Sequence, residues 1–559
     1  MTTDPYRPWL AKYDKAVRPN LEYAEITVPR LLERSAREYP DRPAVIFFNA
    51  SVSYRRLFGQ VQALTATLQA LGVAPDERVA VMLPNLPQTI TVFYALLAAG
   101  AVVVMINPLY TEREIGIQLR DCQATTMICL DLLWPKIQAV RGDTSLTRII
   151  VTSVADGLPF PLSALAALKS RLDRKRVLVP FDGATVIPWK RLASGTHSAP
   201  TPVAVRSSDP AVVQYTGGTT GAPKGAVLTH ANLTANVHQC SEVLYAIGKQ
   251  PERFLAVLPY FHIYGLTVCL NLPVAIGAAI LPVPKFEPAK LLAVIAKHRP
   301  TIFPGAPAIY AALLRQKELP KFDLTCLRFL VSGSAPIPPA HMKKFKEITG
   351  AEIIEGYGLT EASPVTHFNP LAGEKKPGSI GLPLPDTLAR IVDDDGRDAP
   401  AGVPGELWIK GPQVMSGYLG REAETAHVLQ DGWLATGDVA SMDRDGYFYI
   451  VDRKKDLIIS GGYNVYPREV EEVLGEHPAV REACVVGVKH PVRGEIIKAV
   501  IVAAEHAHPT KEDIVTFCKS RLAPYKCPKQ VEFADELPRS TIGKVLRRNL
   551  KEEDQGETF

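Results

Sequence analysis

Apolar runs of strand length alternate with helical patterns along most of this chain. The strand-like runs include Arg78–Met82, Ala211–Tyr215 and Arg328–Ser332, and helical spacing recurs over Thr27–Tyr39 and Ala289–His298. Such alternation is typical of parallel strands connected by helices. The pattern therefore predicts an α/β protein built from layered, largely parallel sheets.

The pattern changes between Gly378 and Val451, where short β-rich runs are separated by the turn sequences DDG, DGW and DGY. This stretch predicts a small, mostly antiparallel subdomain. After Lys455, the order helix, strand, strand, helix, strand predicts a compact α+β unit. We therefore expect an N-terminal domain at 1–453, with its β-rich subdomain at about 378–453, and a mobile C-terminal domain at 454–559. The hinge between them is expected near Lys455.

Two uncharged stretches, Val79–Thr111 and Leu255–Pro284, are long enough to cross a membrane if length alone is considered. Proline, glycine and polar residues interrupt both, which favours a buried helix followed by a buried strand over a membrane channel or transporter. The segment Met1–Lys15 is polar and lacks the apolar region of a secretory signal. We expect a cytoplasmic protein.

Composition narrows the classes of function. The 559-residue chain is 47% hydrophobic and 22% charged, as expected of a globular protein with two or more domains. Its 63 basic and 58 acidic residues give a net charge of +5, which is too weak to indicate a nucleic-acid partner. None of the eight cysteines lies in a C-x-x-C pair or a zinc-binding pattern, and their apolar context is typical of reduced core cysteines.

The helical segment Leu162–Arg176 has two interpretations. Its leucines fall near one helical face, and basic residues accompany them. A solvated surface helix is the simpler interpretation. Peripheral contact with a membrane surface is the alternative, and it would suit a protein that handles lipids.

The most distinctive chemistry lies in the sequence YTGGTTGAPKG at Tyr215–Gly225. Its glycines allow a tight turn in which successive backbone N–H groups point at an anion. The threonine hydroxyls add donors, and Lys224 adds a positive charge. We interpret this loop as a polyphosphate-binding loop, although its spacing is not that of the G-x-x-x-x-G-K-[ST] motif.

The loop resembles the signature loop of the adenylate-forming superfamily, which includes acyl-CoA synthetases, coumarate-CoA ligases, firefly-type luciferases and peptide-synthetase adenylation domains. The beginning of the chain, from Arg7 to Tyr110, also looks like bacterial long-chain fatty acyl-CoA ligases. Further segments resemble other motifs of the superfamily, in the same order along the chain: Ser332–Pro336, Glu355–Glu361, Gly432–Asp438, Asp452–Asp456, Ile459–Asn464 and Pro538–Lys544.

The resemblance implies roles for individual residues. Catalytic roles fall to Lys544, which would stabilise the charge that develops at the phosphates, and to Thr360 and Glu361. His262 would lie near the substrate carboxylate, and an ordinary core histidine is the other interpretation. Glu361 and Thr220 would contact Mg²⁺. The implied nucleotide- and coenzyme-binding residues are Thr216, Gly217, Gly218, Thr219, Thr220, Gly221, Lys224, Gly333, Ser334, Ala335, Glu355, Gly356, Tyr357, Gly358, Asp438, Ile450, Arg453, Gly461, Gly462 and Asn464.

The implied activity is ATP-dependent activation of a carboxylic acid as an acyl-adenylate, followed by transfer to coenzyme A. A long-chain fatty acid is the expected substrate, with ATP and Mg²⁺ as cofactors, coenzyme A as co-substrate and a homodimer as one expected assembly. The apolar segments Gly265–Pro284 and Phe303–Ala308 are expected to line the acyl tunnel.

Alternative activities remain open at this point. An aryl acid ligase is one, because Phe261–Tyr264 and Pro284–Glu287 also resemble coumarate-CoA ligases. A fatty acyl-AMP ligase serving a carrier protein and a luciferase-like oxygenase are others. A non-catalytic binding protein of the same fold is disfavoured, because the implied catalytic positions keep the required residue types.

Overall fold

The computed structural model describes residues 7–172, 177–193, 199–216, 223–248, 250–460, 463–490, 494–540 and 545–551. Two large sheets dominate the first two thirds of the chain. Successive side chains along a strand point to opposite faces of the sheet. Val79 and Val81 therefore enter one apolar core, whereas Ala80 and Met82 enter another. The sheet that contains these residues is therefore buried on both faces, as parallel sheets usually are.

The first large sheet has eight strands. Its central pairs are parallel, and the hairpin between Pro210–Thr216 and Lys224–Thr229 is antiparallel. The strands lie in the order Gly417–Tyr418, Lys224–Thr229, Pro210–Thr216, Val102–Met105, Arg78–Met82, Thr126–Leu130, Arg148–Thr152 and Val186–Pro188.

The second large sheet has nine strands, parallel at its centre and antiparallel at both edges. Residues from both large sheets share one continuous apolar core, which includes Val81, Ile128, Phe254 and Leu330. The strands lie in the order Leu382–Pro383, Val365–Phe368, Ile353–Gly358, Phe329–Ser332, Ile302–Gly305, Arg253–Ala256, Ala279–Pro282, Pro43–Phe47 and Ala50–Ser53.

Two five-stranded sheets follow. The first is antiparallel, as expected for the β-rich stretch, and contains Leu388–Val392, Gly405–Lys410, Leu429–Gln430, Trp433–Met442 and Phe448–Arg453. The second contains Ile458–Ser460, Tyr463–Val465, Val480–His490, Gly494–Ala503 and Gln530–Phe533. It has apolar clusters of its own on both faces. The boundary at 453/454 and the hinge stay predictions.

The α-helices connect and cover these sheets. The predicted helix Thr27–Tyr39 forms as Val28–Glu38, with Thr27 at its N-cap position and a proline in its first turn. The other α-helices are Tyr54–Ala70, Pro87–Ala98, Glu112–Cys122, Trp134–Val140, Leu162–Leu172, Trp189–Ala193, His230–Val243, Ile263–Leu266, Leu272–Ala275, Pro288–His298, Pro307–Leu314, Pro339–Thr349, Glu422–Val428, Pro467–Gly475, Lys511–Lys519 and Arg548–Lys551.

The two membrane-length stretches fold as buried helix followed by strand. The first forms Pro87–Ala98 and Val102–Met105, and the second ends in the strand Ala279–Pro282. Among the described residues, no helix combines the length and the apolar character needed to cross a bilayer. The eight cysteines are free thiols, and all but Cys326 are buried.

Asn85 connects the two large sheets at the level of the site described below. Its side-chain amide donates to the carbonyl oxygens of Ala256, at 2.9 Å, and Leu258, at 2.8 Å. Its side-chain oxygen accepts a hydrogen bond from the backbone N–H of Tyr260 at 2.9 Å. Because Asn85 is only 2% exposed, water cannot readily replace these partners.

We expect Asn85→Ala to lower the free energy of unfolding by about 3 kcal/mol, because it removes three buried hydrogen bonds worth about 1 kcal/mol each. Gln69→Ala is the matched control: the Gln69 amide also bonds backbone groups, those of Thr201, but does so at an exposed site. Urea denaturation followed by tryptophan fluorescence measures both variants. Equal losses in the two would contradict the structural role of Asn85.

Candidate active site

A cavity of about 1270 Å³ opens at the carboxyl ends of strands from both large sheets. Ligands of α/β proteins commonly bind at such strand ends, because the loops that follow parallel strands gather at one edge. Many of the residues that the sequence singled out line this cavity: Thr216, His262, Gly333, Ser334, Gly356, Tyr357, Gly358, Thr360, Glu361, Asp438 and Arg453. Positions more than 200 residues apart therefore meet in one place.

Asp438 forms the centre of one corner of the cavity. It lies opposite Arg453 in the antiparallel pair of strands Trp433–Met442 and Phe448–Arg453. The Tyr357 hydroxyl donates to its Oδ2 at 2.5 Å, and Nε of Arg453 lies 3.1 Å from its Oδ1. Asp438 is 5% exposed, and a carboxylate buried this deeply needs such partners.

The same contacts fix the protonation state of Tyr357. Burial, together with the charge of Asp438, raises the pKa of the Tyr357 hydroxyl well above its ordinary value. The hydroxyl therefore stays a donor, and the ring is held in place at the cavity wall. This geometry provides a fixed aromatic face next to a carboxylate, which is a suitable arrangement for a nucleoside.

The strand that carries Tyr357 can reach this position only because glycines flank the tyrosine. A Cβ atom on Gly358 would lie 2.1 Å from the carbonyl oxygen of Pro364. A side chain there would push Val365–Phe368 away from the strand Ile353–Gly358. On the other side, Glu355 accepts a hydrogen bond from the backbone N–H of Ile337 at 3.2 Å, and burial raises its pKa.

The phosphate-side residues are organised by Tyr418 and Glu424. Lys224 forms an ion pair with Glu424, and its Nζ lies 5.2 Å from the centre of the Tyr418 ring. The hydrogen bond from Lys224 lowers the pKa of Glu424. The Tyr418 hydroxyl donates to Oε1 of Glu361 at 2.8 Å, and Thr216 pairs with Lys224 in the hairpin. Lys224 and Glu361 carry opposite charges, and both are expected to meet a nucleotide. Both are thus held by the short segment at 418–424.

This network extends away from the cavity. Arg421 pairs with Glu424 at 3.0 Å and with Asp121 at 3.2 Å, and Asp121 accepts a hydrogen bond from the Tyr215 hydroxyl at 2.5 Å. Sequence reasoning missed Tyr418, Arg421 and Glu424. Their only local signal is the opposite charge of Arg421 and Glu424 at a spacing of three, which is common on exposed helices.

An apolar arm of the cavity lies beyond Tyr264. The helix His230–Val243 and the residues after it contribute Cys240, Val243 and Leu244, while Val268 and Leu272 come from the predicted tunnel segment. A π-helical turn at Thr267–Asn271 carries Val268. Such turns are frequent at functional sites.

The role of Phe303–Ala308 in an acyl tunnel stays a prediction. The cavity lining, as far as the described residues form it, does not include this segment. Instead, the carbonyl oxygen of Gly305 accepts a hydrogen bond from the Tyr264 hydroxyl at 3.3 Å, so the segment lies behind the cavity wall. Its apolar composition serves the core, where Phe303 is fully buried.

His262 is half-buried and lies at the cavity wall. Its Nδ1 accepts a hydrogen bond from the backbone N–H of Tyr264 at 3.2 Å, which caps the short helix Ile263–Leu266. The neighbouring carbonyl of Phe261 accepts from the Gln214 amide at 2.7 Å. These bonds hold the imidazole between the apolar arm and the polar corner.

Several predicted site residues lie elsewhere. Ile450 is outside the cavity lining, and its carbonyl accepts a hydrogen bond from Nη1 of Arg468 at 2.6 Å. Ala335 is exposed next to Ser334, and Asn464 lies in the strand Tyr463–Val465 without a described side chain. Outside the described residues are Gly217, Gly218, Thr219, Thr220, Gly221, Gly461, Gly462 and Lys544.

The residues on either side of two of these segments nevertheless share the cavity. Thr216 and Pro223 flank the Gly/Thr loop, and Ser540 and Val545 flank the segment that ends in Lys544; all four line the cavity. A bridge between Arg539 and Val545 brings the two ends of the second segment together.

Comparison with known proteins agrees with this geometry. Residues 32–419 match the family model of the AMP-binding enzyme, and residues 469–544 match that of the AMP-binding enzyme C-terminal domain. The chain is 46% identical to a long-chain-fatty-acid–CoA ligase of Bacillus subtilis over 98% of both chains. It is 36% identical to a feruloyl-CoA synthase of Amycolatopsis over 93% of this chain and 97% of that protein.

A solved structure, ATP-bound MatB from Rhodopseudomonas palustris, superposes with a TM-score of 0.82 at 29% identity, covering 94% of this chain and 98% of that chain. The α/β architecture predicted from the hydrophobic pattern is thereby confirmed. With family models matching both parts of the chain and a relative of 46% identity along nearly its whole length, this protein belongs to the AMP-binding enzyme family.

Proposed function

We propose that this protein is an ATP-dependent acid–thiol ligase that converts a long-chain fatty acid, through its acyl-adenylate, into the coenzyme A thioester. The observation that carries the proposal is one cavity in which an apolar arm meets the polar corner of Tyr357, Asp438 and Glu361. The relative named as a long-chain-fatty-acid–CoA ligase supports the choice of acid, because its identity exceeds that of the feruloyl-CoA synthase by 10 percentage points, from 46% against 36%.

In the first half-reaction, an oxygen of the fatty acid carboxylate attacks the α-phosphorus of ATP. The bond from that phosphorus to the bridging oxygen breaks, and pyrophosphate leaves. We assign Asp438 to accept hydrogen bonds from the ribose hydroxyls and Tyr357 to contact the adenine. Thr360 is assigned to the α-phosphate, and Lys224 and Lys544 to the charge that develops on the phosphates, since preformed donors stabilise such charge most effectively.

The site suits Mg²⁺. Glu361 presents a hard carboxylate at the cavity wall, with Oε1 oriented by the Tyr418 hydroxyl. Mg²⁺ prefers oxygen ligands and commonly takes one or two protein carboxylates together with substrate phosphates. Glu361 would hold the ion, with Thr220 as the second assigned ligand, and the bound ion would supply charge neutralisation at the phosphates.

In the second half-reaction, the thiol sulfur of coenzyme A attacks the acyl carbonyl carbon, the thiol proton passes to solvent, and AMP leaves. A thiol needs an open path to the adenylate, whereas the first half-reaction needs a clamp around the phosphates. We assign Gly461, Gly462 and Asn464 to the pantetheine arm and rotation about Lys455 to the switch between the half-reactions. The turn Lys454–Asp456, which directly follows the strand bearing Arg453, is a suitable pivot.

A cytoplasmic location, peripheral contact with the inner membrane surface and a homodimer complete the proposal. The membrane contact follows from the substrate, because long-chain fatty acids partition into bilayers. An aryl acid ligase is the second candidate, and the resemblance of Phe261–Tyr264 to coumarate-CoA ligases is the observation that favours it.

Purified protein with ATP and coenzyme A should form acyl-CoA and AMP with palmitate faster than with octanoate. Because each buried methylene contributes ~0.8 kcal/mol, kcat/KM should rise about tenfold for every two carbons until the apolar arm is filled. Coumarate should react least. Faster turnover of coumarate than of palmitate would indicate the aryl ligase, and acyl-adenylate without thioester would indicate the acyl-AMP ligase.

Tyr418→Phe should raise the Mg²⁺ concentration needed for half-maximal activity by about tenfold, because the Glu361 carboxylate loses a hydrogen bond of roughly 1.5 kcal/mol. Steady-state rates at varied Mg²⁺ and fixed ATP measure this. Tyr449→Phe is the matched control, since its hydroxyl donates to the Asp443 carboxylate, at 3.2 Å, away from the cavity. If the two variants need the same Mg²⁺ concentration, Tyr418 does not position Glu361.

Lys455→Pro should separate the half-reactions, because proline fixes φ and restricts rotation at the pivot. Since Ser540 and Val545 already line the cavity, acyl-adenylate formation should persist and thioester formation should fall. ATP–pyrophosphate exchange and acyl-CoA release measure the two steps, with Lys455→Ala as the control. Loss of acyl-adenylate formation with thioester formation retained would also require a hinge. Equal effects on both half-reactions would contradict the hinge.

A further inference from the structure

A buried glutamine, Gln214, lies in the cavity wall near the end of the strand Pro210–Thr216. It is only 3% exposed. Its neighbours Val213 and Tyr215 enter an apolar core together, and side chains alternate between the two faces of a strand. The Gln214 side chain therefore points toward the second large sheet, where its amide meets the residue before His262.

One hydrogen bond fixes the orientation of the Gln214 amide. Its Nε2 donates to the carbonyl oxygen of Phe261 at 2.7 Å. Because a carbonyl oxygen can only accept, the nitrogen must face Phe261, and Oε1 must face away from it. Among the described residues, no group donates a hydrogen bond to this buried Oε1. Leaving a buried acceptor unpaired costs free energy, so a ligand that supplies a donor there gains binding.

A second buried glutamine shows why the position of Gln214 matters. Gln88 is 5% exposed, its Nε2 donates to the carbonyl oxygen of Ser153 at 3.0 Å, and its Oε1 is also unpaired among the described residues. A Cβ atom on Gly157 would lie 2.2 Å from that oxygen, so the protein chain itself covers it. Gln88 is not part of the cavity lining that the structure describes. The oxygen of Gln214 differs because it belongs to a residue of the cavity wall.

The location of Gln214 limits which ligand group can pair with Oε1. Gln214 contacts the segment that carries His262, between the apolar arm and the polar corner, where the reacting carboxyl carbon is expected. The fatty acid carboxylate is ionised at neutral pH and only accepts hydrogen bonds, and the same holds for phosphate oxygens. Coenzyme A brings donors to this place: its thiol, which is a weak donor, and the amide N–H two methylene groups away, which is a strong one.

We propose that Oε1 of Gln214 accepts a hydrogen bond from the coenzyme A amide N–H nearest the thiol, and thereby holds the sulfur against the acyl carbonyl carbon. This inference rests on the proposed function, because it requires the acyl-adenylate and coenzyme A. The sulfur forms a bond to the acyl carbon, the bond from that carbon to the AMP oxygen breaks, and the thiol proton passes to solvent. Gln214 contributes orientation and takes no proton.

A pair of thiols tests this contact: coenzyme A, and an isostere in which an oxygen atom replaces the nitrogen of the amide next to the thiol. Wild-type enzyme should use coenzyme A with a kcat/KM about tenfold higher, because the isostere cannot donate to Oε1. Gln214→Met should lose this preference, since methionine has a similar shape and no carbonyl oxygen. Gln88→Met is the matched control and should keep the preference of the wild type.

Two further measurements separate orientation of the thiol from support of the fold. ATP–pyrophosphate exchange reports the first half-reaction, and Gln214→Met should leave it within about twofold of the wild type, because the contact forms only with coenzyme A. Gln214→Glu should restore the preference for coenzyme A. Burial favours the protonated carboxyl, which donates to Phe261 through its O–H and keeps a carbonyl oxygen as acceptor.

Two outcomes would overturn the role of Gln214. One is an unchanged preference between the two thiols in Gln214→Met. The other is an equal loss of pyrophosphate exchange and thioester formation in that variant, which would assign Gln214 to support of the His262 segment alone. The proposed function fails separately: wild-type enzyme would then show no acid-dependent pyrophosphate exchange, or would form acyl-adenylate but no thioester with coenzyme A.

Discussion

The buried carboxylate of Asp438 joins two sheets of this structure. Its oxygens bind the Tyr357 hydroxyl from the nine-stranded sheet and the Arg453 guanidinium from the last strand of the β-rich sheet. A carboxylate in this environment is stable only while both partners are present. The polar corner of the cavity and the β-rich sheet are therefore held in one arrangement by a single charge.

The cavity around this charge exists because two parallel sheets end at the same place. Thr216, Gly333 and Gly358 lie at or just after the last residues of strands in these sheets, so their loops gather at one edge. Asn85 fixes the separation of the sheets at that edge through its three hydrogen bonds. The apolar arm and the polar corner are therefore adjacent. Because they are adjacent, an acid with a long alkyl chain can present its carboxylate to a nucleotide.

Charged and hydrogen-bonded side chains fix one side of the cavity. Tyr418, Glu424 and Arg421 belong to a charge network that reaches from Glu361 to Asp121, and such networks preorganise groups that must act together. This arrangement suits chemistry that needs fixed distances.

The sequence by itself determined the α/β architecture and the family, and it singled out many of the residues that line the cavity, because periodic burial and dense motifs depend only on neighbouring positions. It did not reveal Tyr418 or Glu424, and it did not show that Phe303–Ala308 stays outside the lining of this cavity. Such roles depend on contacts between residues far apart along the chain. The sequence around a single polar or apolar residue does not indicate which distant residue it contacts. Only the tertiary structure, in which packing selects which of many chemically equivalent side chains meet, decided which residues line the cavity.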